Sequence, residues 1–292
     1  MKHAIYAPIF GDYGSPQRLV DLAVEAEASG YDGFFIWDHL VFQLDTFLHV
    51  TDPTIVLGAI ACATSTLKIG TMVTPIARRR PWKLAKEMVS LDDLSNGRVI
   101  LGVGLGEPAD LEFGLFGEPV DGKTRSGKLR EGLEVFQRLT RGEKVDFSGQ
   151  HYTVKGVKFS PPRNRPGGVP IWGAATLPSL IGVERAVGID GVFPVRVPVG
   201  WDPEREPSVN WPDWWLSAKE FAELMSEVKS LRNADSPFDA VASGRLGEIS
   251  GPTDALTDYA DAGATWWFEW VDERPNTYTK TLELVRNGPR AD

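Results

Sequence analysis

Short apolar runs alternate with longer amphipathic stretches along the whole chain. The apolar runs are continuous, which is typical of parallel strands that are covered on both faces. The amphipathic stretches carry helix signals, such as Ser15-Pro16 at one start and Asn96-Gly97 at one end. The predicted strands lie at residues 3–10, 32–38, 67–73, 98–106, 169–175, 190–195, 238–246 and 265–271. The predicted helices lie at residues 15–30, 52–66, 79–97, 124–143, 178–187, 217–234, 251–264 and 277–288.

Eight strand–helix units in one chain favour an α/β fold, a single (β/α)8 TIM barrel with insertions, over an open sheet. No linker rich in Pro, Gly or Ser divides the chain, so we expect residues 1–292 to form one domain. Between residues 145 and 162 the apolar period changes to two, which predicts an inserted hairpin. The polar segment 198–216, with Trp201, Trp211, Trp214 and Trp215, is expected to cover the barrel mouth like a lid.

Composition narrows the function classes. A formal net charge of −9 argues against a nucleic-acid or anionic-membrane partner. No stretch approaches the roughly 20 apolar residues that cross a bilayer. The single cysteine, Cys62, suits a reducing compartment, so we expect a cytoplasmic protein. The 4 histidines are scattered and no His-x-His follows the first strand, which disfavours a metal-dependent hydrolase.

The segment "RVILGVGLGE" resembles the start of a dinucleotide fingerprint. A nicotinamide site would need a third glycine where Glu107 stands, and it would follow the first strand instead of the fourth. Two alternatives remain. The glycines relieve crowding in a tight barrel strand, or they let a flat ligand lie directly on the backbone.

Active sites of such barrels lie where the strands end at their carboxyl termini. There the sequence places Asp38 and His39 after the second strand, Glu107 after the fourth and Arg196 after the sixth. Small and apolar residues accompany them after the third, fourth and fifth strands: Thr71, Met72, Val73, Leu105, Gly106, Gly173, Ala174, Ala175 and Thr176. A slot of this composition, with titratable groups on one side, suits a planar ring system.

These residues resemble the bacterial luciferase-like family of flavin and deazaflavin oxidoreductases. The resemblance covers most of the chain and implies a (β/α)8 barrel that moves a hydride between a cofactor ring and a small organic substrate. Its main stretches are "GYDGFFIWDHL", "STLKIGTMVTPIARRRPWKLAKEMVSLDDLSNGRVILGVGLGE", "REGLEVFQRLTRGEKVDFSGQHY", "PIWGAATLPSLIGVERAVGIDGVFP" and "GPTDALTDYADAGATWWFEW".

The resemblance also implies roles for single residues. A non-proline cis peptide is expected in the bulge after the third strand, at Met72-Val73. His39 is expected to give or take a proton near the ring, and Asp38 to accept hydrogen bonds from the ring or fix the loop. Glu107 is expected to act as an acid whose pKa is raised by burial; the alternative is that it caps a helix or fixes its loop.

The cofactor is expected to be the deazaflavin coenzyme F(420), with FMN as the alternative. FMN-dependent relatives often place an arginine in the strand-four glycine run to hold the phosphate, where this chain has Leu105. The phosphate of the cofactor needs hydrogen-bond donors, and the candidates are the backbone N–H groups of residues 174–176, the hydroxyls of Thr176 and Ser179, and Arg196. Sugar-phosphate dehydrogenases of the family place a lysine just after the sixth strand, where the segment "FPVRVPVG" offers only Arg196, and this departure argues against a sugar-phosphate substrate.

Alternative functions stay open. The chain could be an FMN-dependent monooxygenase supplied by a separate flavin reductase, or a non-catalytic flavin-binding member of the fold. A reductase partner for flavin or deazaflavin and a homodimer are expected from the family. Arg78, Arg79 and Arg80 are expected to be solvated at a helix start or to pair with acids of the segment "LDDL".

Overall fold

The computed structural model describes residues 1–42, 49–177, 179, 181–196, 214–232, 236–245, 255–272 and 274–289. Its strands are β1 (Lys2–Ala7), β2 (Gly33–Ile36), β3 (Lys68–Thr71), β4 (Thr74–Pro75), β5 (Leu101–Gly104), β6 (Lys144–Ser148), β7 (Thr153–Lys158), β8 (Ile171–Leu177), β9 (Gly191–Arg196), β10 (Asp239–Arg245) and β11 (Trp266–Trp270). Its helices are α1 (Pro16–Ala28), α2 (Pro53–Ala63), α3 (Pro81–Leu94), α4 (Ala109–Glu112), α5 (Gly122–Thr140), α6 (Ile181–Ala186), α7 (Ala218–Leu231), α8 (Leu256–Asp261) and α9 (Tyr278–Arg286).

Nine of these strands form one parallel sheet in the order β3-β2-β1-β11-β10-β9-β8-β5-β4. β3 and β4, at the two ends of this order, are consecutive parts of one barrel strand that is interrupted after Thr71. A parallel bridge between Ile69 of β3 and Val99, just before β5, links the two sides of this order, so the sheet closes. The predicted (β/α)8 barrel is therefore confirmed, with the third strand split in two.

Helix ends follow the sequence signals. Asp52 accepts a hydrogen bond from the backbone N–H of Ile55 at the start of α2 (3.0 Å). Asn96 and Gly97 end α3 with φ of 59° and 81°, the left-handed conformation that stops a helix. The predicted hairpin is present as the antiparallel pair β6–β7. α4 was not predicted, and it brings Glu112 to the barrel mouth.

Aromatic side chains fill the barrel interior. Near its base, Phe35 stacks on Trp172 with ring centroids 5.5 Å apart, and Trp266 meets both rings edge-on. Above them Phe268 contacts Tyr6 and Phe193. A second apolar cluster lies between the outer faces of β8–β11 and helices α6–α8. The interior is thus a packed core, which leaves the mouth as the place for chemistry.

The division of the chain into domains stays a prediction. Residues 198–213 of the expected lid lie outside the described residues, and only its end, from Trp214 onward, is described. No helix of the described residues is long and apolar enough to cross a membrane.

Candidate active site

A cluster of charged side chains lies where β2 ends. Asp38 is buried, and its carboxylate accepts hydrogen bonds from Thr74 (2.8 Å), Arg78 (2.7 Å) and Arg79 (2.7 and 2.8 Å). The side chains of Arg78 and Arg79 are only 6% and 20% exposed. The expectation that these arginines are solvated or pair with "LDDL" is wrong for both, because the buried Asp38 carboxylate binds them instead; Arg80 alone is exposed.

Glu112 completes the cluster from the other side. Its carboxylate is 1% exposed and lies 3.0 Å from Nδ1 of His39. The same carboxylate accepts the backbone N–H groups of Leu40 (3.1 Å) and Val41 (3.3 Å), and it forms a salt bridge with Arg78. We call His39, Glu112, Arg78, Asp38 and Arg79 the charged cluster. Among the site residues predicted from sequence, this cluster brings Asp38 and His39 together.

The charged cluster keeps His39 neutral. Burial and, to a smaller extent, the positive charge of Arg78 together lower the pKa of His39 to about 4, while Asp38 opposes the shift. Two carboxylates already balance two guanidinium groups, so an imidazolium would add an uncompensated buried charge. Because a carboxylate only accepts, the proton of the neutral ring lies on Nδ1, toward Glu112. Nε2 of His39 then carries the lone pair.

The bulge between β3 and β4 lies beside this cluster. The Met72-Val73 peptide bond is cis, as the resemblance implies. Thr71 is tied to the cluster, because its hydroxyl is 2.7 Å from that of Thr74, which donates to Asp38. Tyr6 donates a hydrogen bond to the carbonyl of Met72 from inside the barrel. Burial raises the pKa of this phenol, so Tyr6 stays a donor.

The glycine run makes room for that bulge. A Cβ on Gly102 would lie 2.4 Å from Sδ of Met72 and 2.4 Å from the carbonyl oxygen of Thr71. A Cβ on Gly104 would lie 2.5 Å from Cγ2 of Val73. Protein atoms therefore fill the space beside these two glycines. This supports the crowding alternative, and it contradicts the alternative of a flat ligand on their bare backbone.

Gly106 and Glu107 form the loop after β5. Gly106 has φ of +85°, and a Cβ there would also meet Pro75 at 2.7 Å. The Glu107 side chain is 57% exposed, so the expected burial is wrong. Its carboxylate accepts from Arg125 (3.1 Å) and from the backbone N–H of Ala109 (3.0 Å). These contacts favour the loop-fixing alternative, and an acid role for Glu107 stays a prediction.

Arg125 holds the same loop from α5. Its guanidinium is 6% exposed and donates to the carbonyls of Gly106 (2.5 Å) and Val120 (3.0 Å). It also approaches the carbonyl of Leu105 at 3.5 Å. Leu105 is partly buried against the core. Arg125 thus fixes the position of the predicted site residues Leu105, Gly106 and Glu107.

The predicted residues of β8 divide between two faces. Ala175 packs in the outer cluster against α6, and a Cβ on Gly173 would meet Ala186 of that helix at 3.2 Å. Ala174 lies on the opposite face, since a Cβ added to Gly104 would lie 3.5 Å from the Cβ of Ala174. Thr176 is exposed at the end of the strand. Only Ala174 and Thr176 can therefore present side chains to a ligand, while Gly173 and Ala175 could contribute backbone alone.

Arg196 ends β9 and forms a salt bridge with Glu220 of α7. Glu220 also accepts from the backbone N–H of Ser217 (2.9 Å), within the capping box that starts α7. Near this helix start, the buried ring of Trp215 lies 6.3 Å from the ring of Trp270 at the end of β11. The indole N–H of Trp215 has no acceptor among the described residues. A buried donor at the barrel mouth fits a polar conjugated ring.

The sequence interpretation missed several members of the site. Tyr6, Glu112 and Arg125 were not singled out, and Arg78 was expected to be solvated or to pair with the segment "LDDL". The triple-arginine run beside a strand end was the one available signal. No local pattern marks Glu112, which follows a loop of no fixed periodicity. Among the described residues, no group of three or more His, Cys, Asp or Glu side chains is arranged to hold a metal ion.

Sequence comparison finds curated relatives that match a little over half of this chain. The chain is 35% identical over 168 residues to an F420-dependent glucose-6-phosphate dehydrogenase of Mycobacterium avium (strain 104), which covers 57% of this chain and 49% of that protein. It is 37% identical over 163 residues to a protein of the same name from Nocardia farcinica, covering 55% of this chain and 48% of that protein. These matches span about half the length of the curated relatives.

Two solved structures have the same fold. The coenzyme F420 dependent tetrahydromethanopterin reductase from Methanopyrus kandleri superposes with a TM-score of 0.72 at 17% identity, covering 98% of this chain and 97% of that one. Monooxygenase RslO1 from Streptomyces bottropensis gives a TM-score of 0.73 at 18% identity over the same shares. The sequence model of the luciferase-like monooxygenases matches residues 1–195. The chain therefore belongs to the luciferase-like monooxygenase family.

Proposed function

We propose that this protein is an F420-dependent oxidoreductase, which transfers a hydride between the deazaflavin ring and a small organic substrate. The observation that carries this proposal is the buried His39 at the barrel mouth, whose Nδ1 lies 3.0 Å from the Glu112 carboxylate and whose pKa is lowered by burial, which favours the neutral ring. A base in this form can take the hydroxyl proton of an alcohol substrate while the adjacent carbon loses a hydride. The names of the curated relatives support the choice of cofactor.

The residues at the mouth suit such a ring. Val73 and Ala174 offer small side chains on either side of Gly104, and Trp215 offers a buried N–H. When bound, the deazaflavin would supply the hydride acceptor or donor. Thr176, Ser179 and Arg196 are the proposed phosphate ligands, with Arg196 released from Glu220 or shared with it. Leu105, in place of an arginine, disfavours the FMN phosphate.

The protein's surroundings are also part of the proposal. We propose a cytoplasmic location, which suits the exposed free thiol of Cys62. A separate enzyme that reduces or oxidises the deazaflavin, and a homodimeric assembly, are proposed from the family resemblance alone. For the substrate we propose only its class, a small organic molecule.

The test is a fluorescence titration of the protein with oxidised deazaflavin coenzyme and, in parallel, with FMN. We expect micromolar binding of the deazaflavin, on the order of −8 kcal/mol, and FMN binding at least about tenfold weaker. His39→Asn should retain deazaflavin binding but lose about 10²-fold or more in turnover, followed by the visible absorbance of the coenzyme. Tight FMN binding would instead support a monooxygenase that needs a flavin reductase. Binding of neither cofactor would refute the site.

A further inference from the structure

In the proposed function Glu112 appears only as the partner of His39 Nδ1, yet its carboxylate also binds Arg78 and the backbone N–H groups that follow His39. It enters from α4, a four-residue helix that follows the glycine run. One of its oxygens, Oε1, accepts from Nδ1 of His39 and from the backbone N–H of Leu40 and Val41. The other, Oε2, faces Arg78 and the N–H of Leu40. The carboxylate thus grips both the ring of His39 and the backbone that follows it.

We propose that Glu112, itself anchored by Arg78, is a positioning residue that fixes His39 in the Nδ1–H tautomer and presents Nε2 to the substrate. The tautomer of a neutral histidine is set by the hydrogen bond that its other nitrogen makes. A buried carboxylate cannot donate, so the proton must lie on Nδ1. The Nδ1 side of His39 is occupied by Glu112, and Nε2 makes no hydrogen bond to the described residues.

Arg78 explains why a carboxylate is stable there. Its guanidinium bridges Glu112 and Asp38, and the three side chains are 6%, 1% and 1% exposed. Removing the charge of Glu112 would leave Arg78 with Asp38 as its remaining acid, which Arg79 shares. The two basic and two acidic side chains therefore act as one unit. The catalytic contribution of Glu112 rests on the proposed function, whereas its effect on the His39 tautomer does not.

The first experiment needs no cofactor. Long-range ¹H–¹⁵N correlation spectra of the histidine rings distinguish protonated from unprotonated nitrogens, and His39→Asn assigns the His39 signals. At neutral pH the wild-type protein should show a protonated Nδ1 and an unprotonated Nε2. Glu112→Gln should lose this pattern and give a mixture of tautomers. Asp110→Asn, which removes an exposed carboxylate from the same short helix, should leave the pattern unchanged.

The second experiment measures turnover with the deazaflavin coenzyme. Glu112→Gln should lower kcat about 10²-fold, the lower end of a general base contribution, while the dissociation constant of the coenzyme is unchanged. Asp110→Asn should match the wild type. A protonated Nε2 in the wild-type spectrum would overturn the proposal even if Glu112→Gln fails to fold. An unchanged tautomer in a folded Glu112→Gln variant would do the same. If the tautomer is as expected but no deazaflavin binds, the proposed function fails and this inference stands.

Discussion

Replacing Gly102 with alanine tests why the fourth barrel strand is rich in glycine. The added Cβ would lie 2.4 Å from Sδ of Met72 and 2.4 Å from the carbonyl oxygen of Thr71. The sulfur can rotate away, but the carbonyl belongs to the end of β3 and moves only with that strand. We therefore expect a loss of about 1–3 kcal/mol in the free energy of unfolding, which is typical of overpacking.

Gly58→Ala is the matched control, because it makes the same chemical change in an open place. Gly58 lies inside α2, and a Cβ there has no heavy atom within 4 Å. Alanine costs less backbone entropy than glycine in a helix, so this variant should gain about 0.5–1 kcal/mol. One substitution type then gives two effects of opposite sign, set by the surroundings alone.

Thermal and urea unfolding measure both variants. For a chain of this size about 1 kcal/mol corresponds to roughly 2 °C, so we expect the Gly102→Ala midpoint about 2–6 °C below and the Gly58→Ala midpoint about 1–2 °C above the wild type. The reasoning is refuted if Gly102→Ala is as stable as the wild type while Gly58→Ala gains. The space beside Gly102 would then be open, and a flat ligand could occupy it.

Three further changes test other parts of the structure. Arg98→Lys should cost about 2–4 kcal/mol in urea unfolding, because the buried guanidinium donates to the carbonyls of Ala61 (2.7 Å) and Leu67 (3.0 Å) and to other acceptors around the end of α2; a cost under about 1 kcal/mol would contradict this. His39 binds a proton more weakly in the folded state than in the unfolded state. The free energy of unfolding should therefore fall by about 2 kcal/mol as the pH is lowered from about 7 to about 5. His39→Asn should remove that part of the slope, and an unchanged slope would mean that folding does not lower the pKa of His39. Burial raises the pKa of Glu131, but hydrogen bonds from three backbone N–H groups at residues 150–152 outweigh it, so that the pKa is lowered. Glu131→Gln should therefore speed hydrogen–deuterium exchange in the hairpin turn at neutral pH. Equal exchange in the two proteins would show that the negative charge is not needed.

Much of the fold could be predicted because its signals are local. The strands of a buried parallel sheet are continuous apolar runs, and each helix start or stop needs only a few residues, such as Asp52 at the start of α2. The interruption of the third strand was predicted only through the family resemblance. No local rule distinguishes "TMVTP" from an uninterrupted strand end, because the bulge depends on the neighbouring glycines of β5.

The site was less predictable because its chemistry depends on partners that are distant in sequence. Asp38 and His39 were placed by the rule that barrel strands end at the active site. Their partners were not predicted, because Asp38 binds Arg78, which is 40 residues away in sequence, and His39 binds Glu112, which is 73 residues away. Arg78 shows the consequence. In the sequence it belongs to a basic run before a helix, which usually means a solvated surface, yet two acids from other segments bury it.

Glu107 and Glu112 show that an exposed acid and a buried acid can look alike in the sequence. Both acids belong to the loop after the glycine run, and the family resemblance favoured Glu107 because it follows that run directly. The fold reverses their environments: the side chain of Glu107 is 57% exposed although it pairs with the buried Arg125, while that of Glu112, on α4, is only 1% exposed. A carboxylate acts on a neighbouring histidine when water is excluded around both groups. Burial therefore assigns the histidine partner to Glu112, and burial was the property that the sequence pattern did not contain.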